Sequence, residues 1–245
     1  MSPVLAILIT VGFVIVTTLI SQKWSIVHYA FDASWYRRLS ILTLLCYAAL
    51  AVFSVTLGAW LDLTACYPPL ALFFHTLPPW LNGLIGYLIV TFFNYWWHRL
   101  RHHHDGLWKA FHQIHHSTYR LESLTSIYAH PTDFLSTLVV INITCYVLLG
   151  FNAESCIWAG LMVNLFEIWE HSNIPTPVWL GYIIVRPEMH RIHHEYHQHT
   201  NNYGFPLWDM IFGTYENSTR LVQCGFDAAE EKKLLPMLLF KKVTD

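Results

Sequence analysis

Charged and uncharged stretches alternate along the chain on the scale of a membrane helix. Residues 1–22, 39–61 and 134–153 carry no Asp, Glu, Lys or Arg. A longer uncharged stretch, 63–97, is broken by Pro68, Pro69, Pro78 and Pro79, so that its second half, 80–97, stands alone. A fifth apolar run extends from near Ser155 to about Glu170. Crossing a bilayer takes about 20 apolar residues, and so many runs of that length do not suit a soluble core. The pattern predicts spans near 3–22, 39–61, 80–97, 134–150 and 155–170. No Lys or Arg precedes the first run, so it lacks the basic segment of a signal peptide and reads as a retained span. Strand signals are weak. The expected fold is all-α, an integral membrane helical bundle forming one domain over 1–245, with the third span continuing as helix into His98 and His102.

Charge gives this arrangement a direction. Five spans leave segments 21–38, 98–133 and 171–245 on one side, and these hold every one of the 14 Lys and Arg residues. The other side holds only Asp62 and Glu154. By the positive-inside rule the basic side is cytoplasmic, so residues 98–133 and 171–245 form a cytoplasmic helical cap. Composition agrees: 54% of residues are hydrophobic and only 12% charged, against about 25% charged in a soluble domain. A net charge of -2 argues against a nucleic-acid partner. The five cysteines, Cys46, Cys66, Cys145, Cys156 and Cys224, form no CxxC pair, which speaks against a disulfide framework or a zinc ribbon.

The candidate chemistry is in the histidines. Fourteen of the sixteen fall between His98 and His199. The groups His98-x-x-x-His102, His112-x-x-His115-His116 and His190-x-x-His193-His194, with His171 between them, place nine at metal-ligand spacings. Residues three and four apart share a helix face, so each group is expected to aim two or three ring nitrogens at one point. Imidazole is the commonest protein ligand for a catalytic transition metal. Nine rings exceed what one four- to six-coordinate ion takes and suit two. His28 and His75, outside the clustered region, read as structural. His102-His103-His104 alone would pass for a solvated basic turn, but that does not account for two separate HxxHH groups.

Taken in order, these motifs resemble the fatty acid hydroxylase superfamily, which includes sterol desaturases, methylsterol oxidases and sphingolipid hydroxylases. The resemblance covers about residues 90–215. Tyr95-Trp96-Trp97-His98-Arg99-Leu100-Arg101-His102 looks like its first box, His112-Gln113-Ile114-His115-His116-Ser117 its second and His190-Arg191-Ile192-His193-His194 its last. His130-Pro131 and His171-Ser172-Asn173 match shorter signatures, and Asn202-Tyr203-Gly204, Trp208-Asp209 and Phe212-Gly213-Thr214-Tyr215 match the segment after the last box. The resemblance implies a membrane-bound, histidine-rich, non-haem di-iron centre that activates O2 on a lipid, with zinc able to replace iron in purified protein. It carries His98, His102, His112, His115, His116, His171, His190, His193 and His194 over as metal ligands. His103 is an alternative to His102, and His130 is either an outer partner or structural. Two positions depart from the family pattern. Thr91 stands where members often carry Asp, so a carboxylate that orients a ligand is expected to be absent there. Glu167 stands four residues before His171, where members often have Gln or His. An ionisable residue in an apolar span is a functional candidate, so Glu167 is a ligand, an acceptor for a ligand's ring N–H, or a helix-end residue reaching lipid headgroups.

The expected activity is hydroxylation of a C–H bond in a fatty acyl or sterol-like lipid. Desaturation on the same centre is the alternative that spacing does not separate. A membrane zinc hydrolase fits less well, because the nearest stretch to HExxH, His194-Glu195-Tyr196-His197-Gln198, puts Gln at the second ligand position. A metal transporter should carry its ligands within the spans, which are nearly free of histidine. Electrons are expected from a separate cytochrome b5 or ferredoxin type donor. A small scaffold without an ER-retrieval tail suits a bacterial inner membrane better than the ER. Reporter fusions after residues 70 and 245 test the topology: residue 70 should report outside and residue 245 inside, and a cytoplasmic signal at residue 70 would sink the five-span arrangement.

Overall fold

The computed structural model describes residues 1–64 and 70–243. Cys66, Pro68, Pro69 and the final Thr244-Asp245 lie outside the described residues. The described residues are helical, with no strand beyond an isolated bridge between Glu195 and Cys224. Five long helices make the bundle: α1 (Pro3–Lys23), α2 (Ala33–Thr64), α4 (Pro79–His103), α7 (Pro131–Asn142, continued by a wider π-helical turn, Ile143–Leu148) and α8 (Ala153–Glu170), with the short α3 (Leu70–Phe74) before α4. The cap is built from α5 (Asp105–Leu107), a π-helical turn (Trp108–His112), α6 (Gln113–Ser117), α9 (Pro187–His193), α10 (Pro206–Phe212), α11 (Ala228–Glu231) and α12 (Leu234–Leu238).

Local chemistry fixes where these helices begin. Ser2 accepts from the Leu5 N–H at 3.2 Å ahead of α1, and the Asp32 carboxylate accepts from the Ser34 and Trp35 N–H groups ahead of α2. The Asn152 side chain accepts from the Ser155 N–H at the start of α8, and Pro3, Pro79 and Pro131 occupy first-turn positions where no N–H is missed.

Contacts between helices set their directions. Thr10 meets Asn164 and the N-terminal amine meets Glu154, so α1 and α8 run parallel. Asn82 donates to Ser155 at 3.1 Å and Gly83 abuts Trp158, so α4 runs parallel to both. α2 and α7 begin at the histidine end, where Trp35 bonds Thr118 and Asp133 bonds His112, so these two, packed together through Tyr47 and Phe134, run the other way. All nine predicted histidine ligands therefore collect at one end of the bundle. The opposite end holds the turn of residues 149–152, where Phe74 packs on Phe151 and the His75 ring meets the Gly150 carbonyl.

The protein is a membrane protein by the character of its helices. Pro3–Lys23, Ala33–Thr56 and Pro131–Leu148 are long and apolar enough to cross a bilayer. Their flanks expose Val4, Leu8, Ile15, Leu44 and Val52, as lipid contact requires. α4 and α8, which cover the other two expected spans, fall short on composition because they carry Asn82, Asn94, Asn164, Glu167 and Glu170. They form the most extensive helix pair of the bundle. As expected, α4 continues unbroken from its apolar part into His98 and His102.

The α4–α8 approach depends on two glycines. A Cβ on Gly83 would stand 2.3 Å from the Trp158 Cβ and 3.1 Å from its backbone, and one on Gly86 would stand 2.7 Å from the Phe151 ring. Only small residues let helix backbones come this close. Gly83→Val should destabilise the protein by about 1–3 kcal/mol through overpacking. Gly12→Ala in α1, where an added methyl meets nothing within 4 Å, should be neutral or slightly stabilising. Thermal unfolding midpoints in detergent compare the two; equal midpoints would remove the glycine contact as a determinant.

Candidate metal centre

The nine histidines named from the sequence meet in two groups. The candidate ligand nitrogens of His98, His102, His112, His116 and His193 lie within 4.8 Å of one another, as do those of His115, His171, His190 and His194. As expected, each motif aims two of its rings at one point, and the division shows where the third ring of each HxxHH motif goes. The i,i+4 pairs stay together: His98 with His102, His112 with His116, His190 with His194. The third member of each HxxHH motif, His115 or His193, turns to the other group. Positions i+3 and i+4 lie on opposite sides of position i's direction on a helix, so an HxxHH motif between two centres is split by its own geometry. The groups adjoin, with the His116 and His194 rings stacked at 4.1 Å.

The ring orientations are held from behind. His98 Nδ1 donates to the Tyr203 carbonyl at 2.6 Å, His193 Nδ1 to the Asn201 carbonyl at 2.7 Å, His171 Nδ1 to the Glu167 carbonyl at 2.6 Å, and His115 Nδ1 to the Tyr128 carbonyl at 3.4 Å. His112 Nδ1 lies 2.9 Å from the Asp133 carboxylate, which Arg101 also binds. A carbonyl can only accept, so these nitrogens carry the proton and each Nε2 presents a bare lone pair. The Nε2 atoms then converge: His98 with His193 at 3.0 Å, His98 with His112 at 2.8 Å, His171 with His190 at 2.9 Å and His171 with His115 at 3.2 Å. Burial opposes protonation of these rings, moving them below the usual histidine range: His171 down to about 4, His193 down to about 3, and the other seven lower as well. Neutral lone pairs facing at such distances repel unless a cation lies between them. Ligands about 2.1 Å from one ion and at right angles stand about 3.0 Å apart, which these separations match. His102 Nε2, buried and without a hydrogen-bond partner, is a further orphaned atom that a metal would satisfy. Both groups fit a transition-metal ion that accepts neutral nitrogen ligands.

The remaining candidates separate cleanly. His102 is in the centre and His103 is exposed. His130 caps α7, accepting from the Thr132 N–H at 3.1 Å, with its ring against Phe240, and it belongs to neither histidine group. His28 is exposed beside Ser25, and His75 lies at the far end of the bundle. Thr91 accepts from the Trp208 indole at 3.0 Å. The carboxylate thought absent there is provided from elsewhere, by Asp133, three residues after His130, through His112. Glu167 lines the cavity that reaches the centre, yet it is its backbone carbonyl that holds His171. Glu170, not singled out from the sequence, stands 3.5 Å from His190 Nδ1, and the carboxyls of Glu167 and Glu170 lie within 4.8 Å of a His171 nitrogen. His199 is a second omission. Its Nδ1 is 3.1 Å from His116 Nδ1 and its ring packs on Trp108. The only sequence signal for either was proximity to a motif. Asp209 organises the loop that supplies Tyr203: it accepts from the Tyr203 and Gly204 N–H groups and from Thr214. Burial raises it to about 7 against those hydrogen bonds.

The family model described as fatty acid hydroxylase matches residues 83–214, which contain all nine histidines. An ornithine lipid hydroxylase of Rhizobium tropici is 32% identical over 142 residues, 56% of this chain and 42% of that protein. Human alkylglycerol monooxygenase (Homo sapiens) is 31% identical over 152 residues, 57% of this chain and 32% of that protein. A very-long-chain aldehyde decarbonylase of Arabidopsis thaliana is 31% identical over 144 residues, 53% of this chain and 22% of that protein. The match thus covers less than half the length of each of these relatives. No solved structure matches the chain.

Two outcomes follow from the geometry. His102→Ala should lower metal content of the purified protein whereas His103→Ala should not, and Asp133→Asn should weaken metal affinity about 10–100-fold; elemental analysis and chelator competition read both. The depressed histidines also set a pH dependence. Their unfolded forms bind protons near 6.5 and their folded forms only at lower pH, so between those values the unfolded state holds more protons and stability rises with pH. The metal-free protein should unfold at progressively lower temperature as pH falls from about 7 towards about 4; a flat profile over that window would contradict the buried, neutral rings.

Proposed function

Because the chain belongs to the fatty acid hydroxylase family, we propose that it is a membrane-bound, non-haem di-iron oxygenase. In this reading it hydroxylates a C–H bond of a lipid with O2 and electrons from a separate donor. His98, His102, His112, His116 and His193 hold one iron, and His115, His171, His190 and His194 the other. The observation that carries the reading is a cavity of about 770 Å³ that runs from the apolar helices to both histidine groups. Ile7, Val14, Leu138 and Ile141 wall its bundle end, and His98, His112, His115 and His190 line its inner end. A predominantly apolar cavity that reaches two clustered histidine groups suits an alkyl chain. It does not suit the hydrated path of a transported ion.

When bound, the irons supply the oxidising power needed for an unactivated C–H bond. The chain's own residues do the rest. The carbonyls of Tyr203, Asn201, Glu167 and Tyr128 fix the tautomer of four ligands, and the Arg101–Asp133 pair orients His112. No thiol lies among the ligands, and Cys224 Sγ is engaged with Arg191, so the donor set resists self-oxidation. Glu167 and Glu170 provide carboxyls beside the second group for holding protons close to the reacting atoms. All five long helices are read as spans, with the histidine end cytoplasmic by the charge rule, most simply in a bacterial inner membrane. The hydroxylase and monooxygenase names of two relatives favour hydroxylation over desaturation.

The test is lipid profiling of cells with and without the gene, followed by incubation of membranes under 18O2. One labelled oxygen atom in a lipid product is expected; a loss of two hydrogens without label would replace hydroxylation by desaturation. Ala at any one of His98, His112, His115, His116, His171, His190, His193 or His194 should abolish turnover, and the losses should not add in combination. Full activity in two or more of these variants at matched protein level would overturn the ligand assignment.

A further inference from the structure

Two segments of the cap are uncharged and apolar. From His171 to Val185 there is no Asp, Glu, Lys or Arg, and from Tyr203 to Tyr215 there is only Asp209, which is fully buried. The first segment forms a 3-10 turn, Val178–Tyr182, and the second carries α10. They lie side by side, with the Tyr182 and Tyr215 rings 6.0 Å apart and Asn217 donating to the Val178 carbonyl. Together they expose Trp179, Tyr182, Ile183, Leu207 and Ile211, each 41–62% accessible. Elsewhere on the cap, exposed Leu221 follows Arg220 and exposed Leu235 follows Lys232 and Lys233. Single apolar residues among charges are ordinary on a water-facing surface; a continuous uncharged patch is not.

The depth of α10 shows what this patch meets. Phe205, at its start, packs edge-on against Tyr87 of α4, and the Trp208 indole donates to Thr91 and packs on Phe92. Thr91 and Tyr87 precede His98 by seven and eleven residues, about 10 and 16 Å along the helix axis. α10 therefore lies beside α4, on the bundle side of the histidines, and its exposed flank adjoins the exposed Leu88 and Phe93 of α4. Its backbone is closed to match. The Tyr203 and Gly204 N–H groups donate to the Asp209 carboxylate, the Trp208 N–H to the Phe205 carbonyl, and the Gly213 and Thr214 N–H groups to the Asp209 carbonyl. Pro206 has no N–H to satisfy. Irregular backbone survives at membrane depth only when its polar groups are met inside the protein.

We propose that the Val178–Tyr182 turn and α10 form a shelf embedded in the leaflet on the histidine side, with lipid as its partner. Trp179 and Tyr182 then stand at headgroup level, where amphipathic rings collect, and Leu207 and Ile211 among the acyl chains. This goes beyond the oxygenase reading and rests only on its placement of α4 as a span. It also revises the expectation that all of residues 171–245 lie in an aqueous cap. The inner side of the same segment, Tyr203, Gly204 and Phe205, lines the cavity. The shelf is thus a partition between bilayer and cavity, and its hold on the lipid fixes the height of the histidines relative to the headgroups.

The experiment places a nitroxide label on Ile211→Cys, Tyr182→Cys, Leu88→Cys or Leu221→Cys, one at a time, in the full chain in phosphatidylcholine–phosphatidylglycerol nanodiscs. It measures collision of each label with O2, which concentrates in hydrocarbon, and with a soluble nickel chelate, which stays in water. Cys46, Cys145, Cys156 and Cys224 are buried, and the unsubstituted chain taken through the same labelling is the blank. Collision with O2 should dominate at Ile211 as it does at Leu88 of α4, placing Ile211 about 5–10 Å below the phosphates. Tyr182 should lie nearer the headgroups, and nickel should dominate at Leu221. Nickel dominating at Ile211 while Leu88 is in lipid overturns the shelf. Both labels in water removes the shelf and the placement of α4 together, whereas Ile211 in lipid with Leu88 in water sinks the placement of α4 alone. Dipolar coupling between Ile211 labels in discs that hold two chains would assign the face to a second copy and overturn the lipid partner.

Discussion

Everything in this protein is arranged around lone pairs that repel. Nine buried neutral imidazoles point their free nitrogens inward in two groups, at separations near 3 Å, while backbone carbonyls and one carboxylate fix the other nitrogens. Desolvation keeps the rings neutral, so no proton relieves the crowding. The scaffold must supply enough binding energy to hold that geometry before a cation arrives, and a cation stabilises the result in turn.

The bundle meets this demand with a rigid pair of helices. α4 and α8 lie close along Gly83 and Gly86, run parallel and end together, so that His98, His102 and His171 arrive at one level. The cap is wired to the same ends. Asn201 and Asn202 adopt left-handed backbone, φ 63° and 46°, as Asn tolerates better than most residues, and this turn directs the Asn201 carbonyl at His193. Asp209 gathers the Tyr203 and Gly204 N–H groups, and so aims the Tyr203 carbonyl at His98. Arg191 within the last motif reaches Tyr29 and Asn173, tying the α1–α2 connection to the centre. The helices that face lipid, α1 above all, make few demands and leave room for the cavity.

The cavity and the metal centre share one logic of dryness. The same burial that keeps the histidines neutral would, in the proposed reading, limit water where a lipid carbon meets the metals. Several polar groups in that wall are paired within the protein: Arg101 with Asp133, Thr91 with Trp208, and Asn164 with Thr10.

Much of this was legible in the chain itself. Uncharged runs against charged loops marked the long helices, because burial in lipid and charge exclude each other. Histidine spacing marked the nine residues, because helix geometry makes i, i+3 and i+4 neighbours whatever the fold. Three other features belonged to tertiary structure alone. The split of each HxxHH motif between two groups depends on what stands on either side of the helix. The choice of His102 over His103 depends on the rotation of α4's last turn, which exposes one ring and buries the other. The carboxylate behind His112 comes from Asp133, 21 residues away, and the carbonyl behind His98 from Tyr203, 105 residues away. A sequence pattern records which residues share a helix face. It does not record which distant backbone atom will close the hydrogen bond at the back of a ring, since that is settled only when the helices pack.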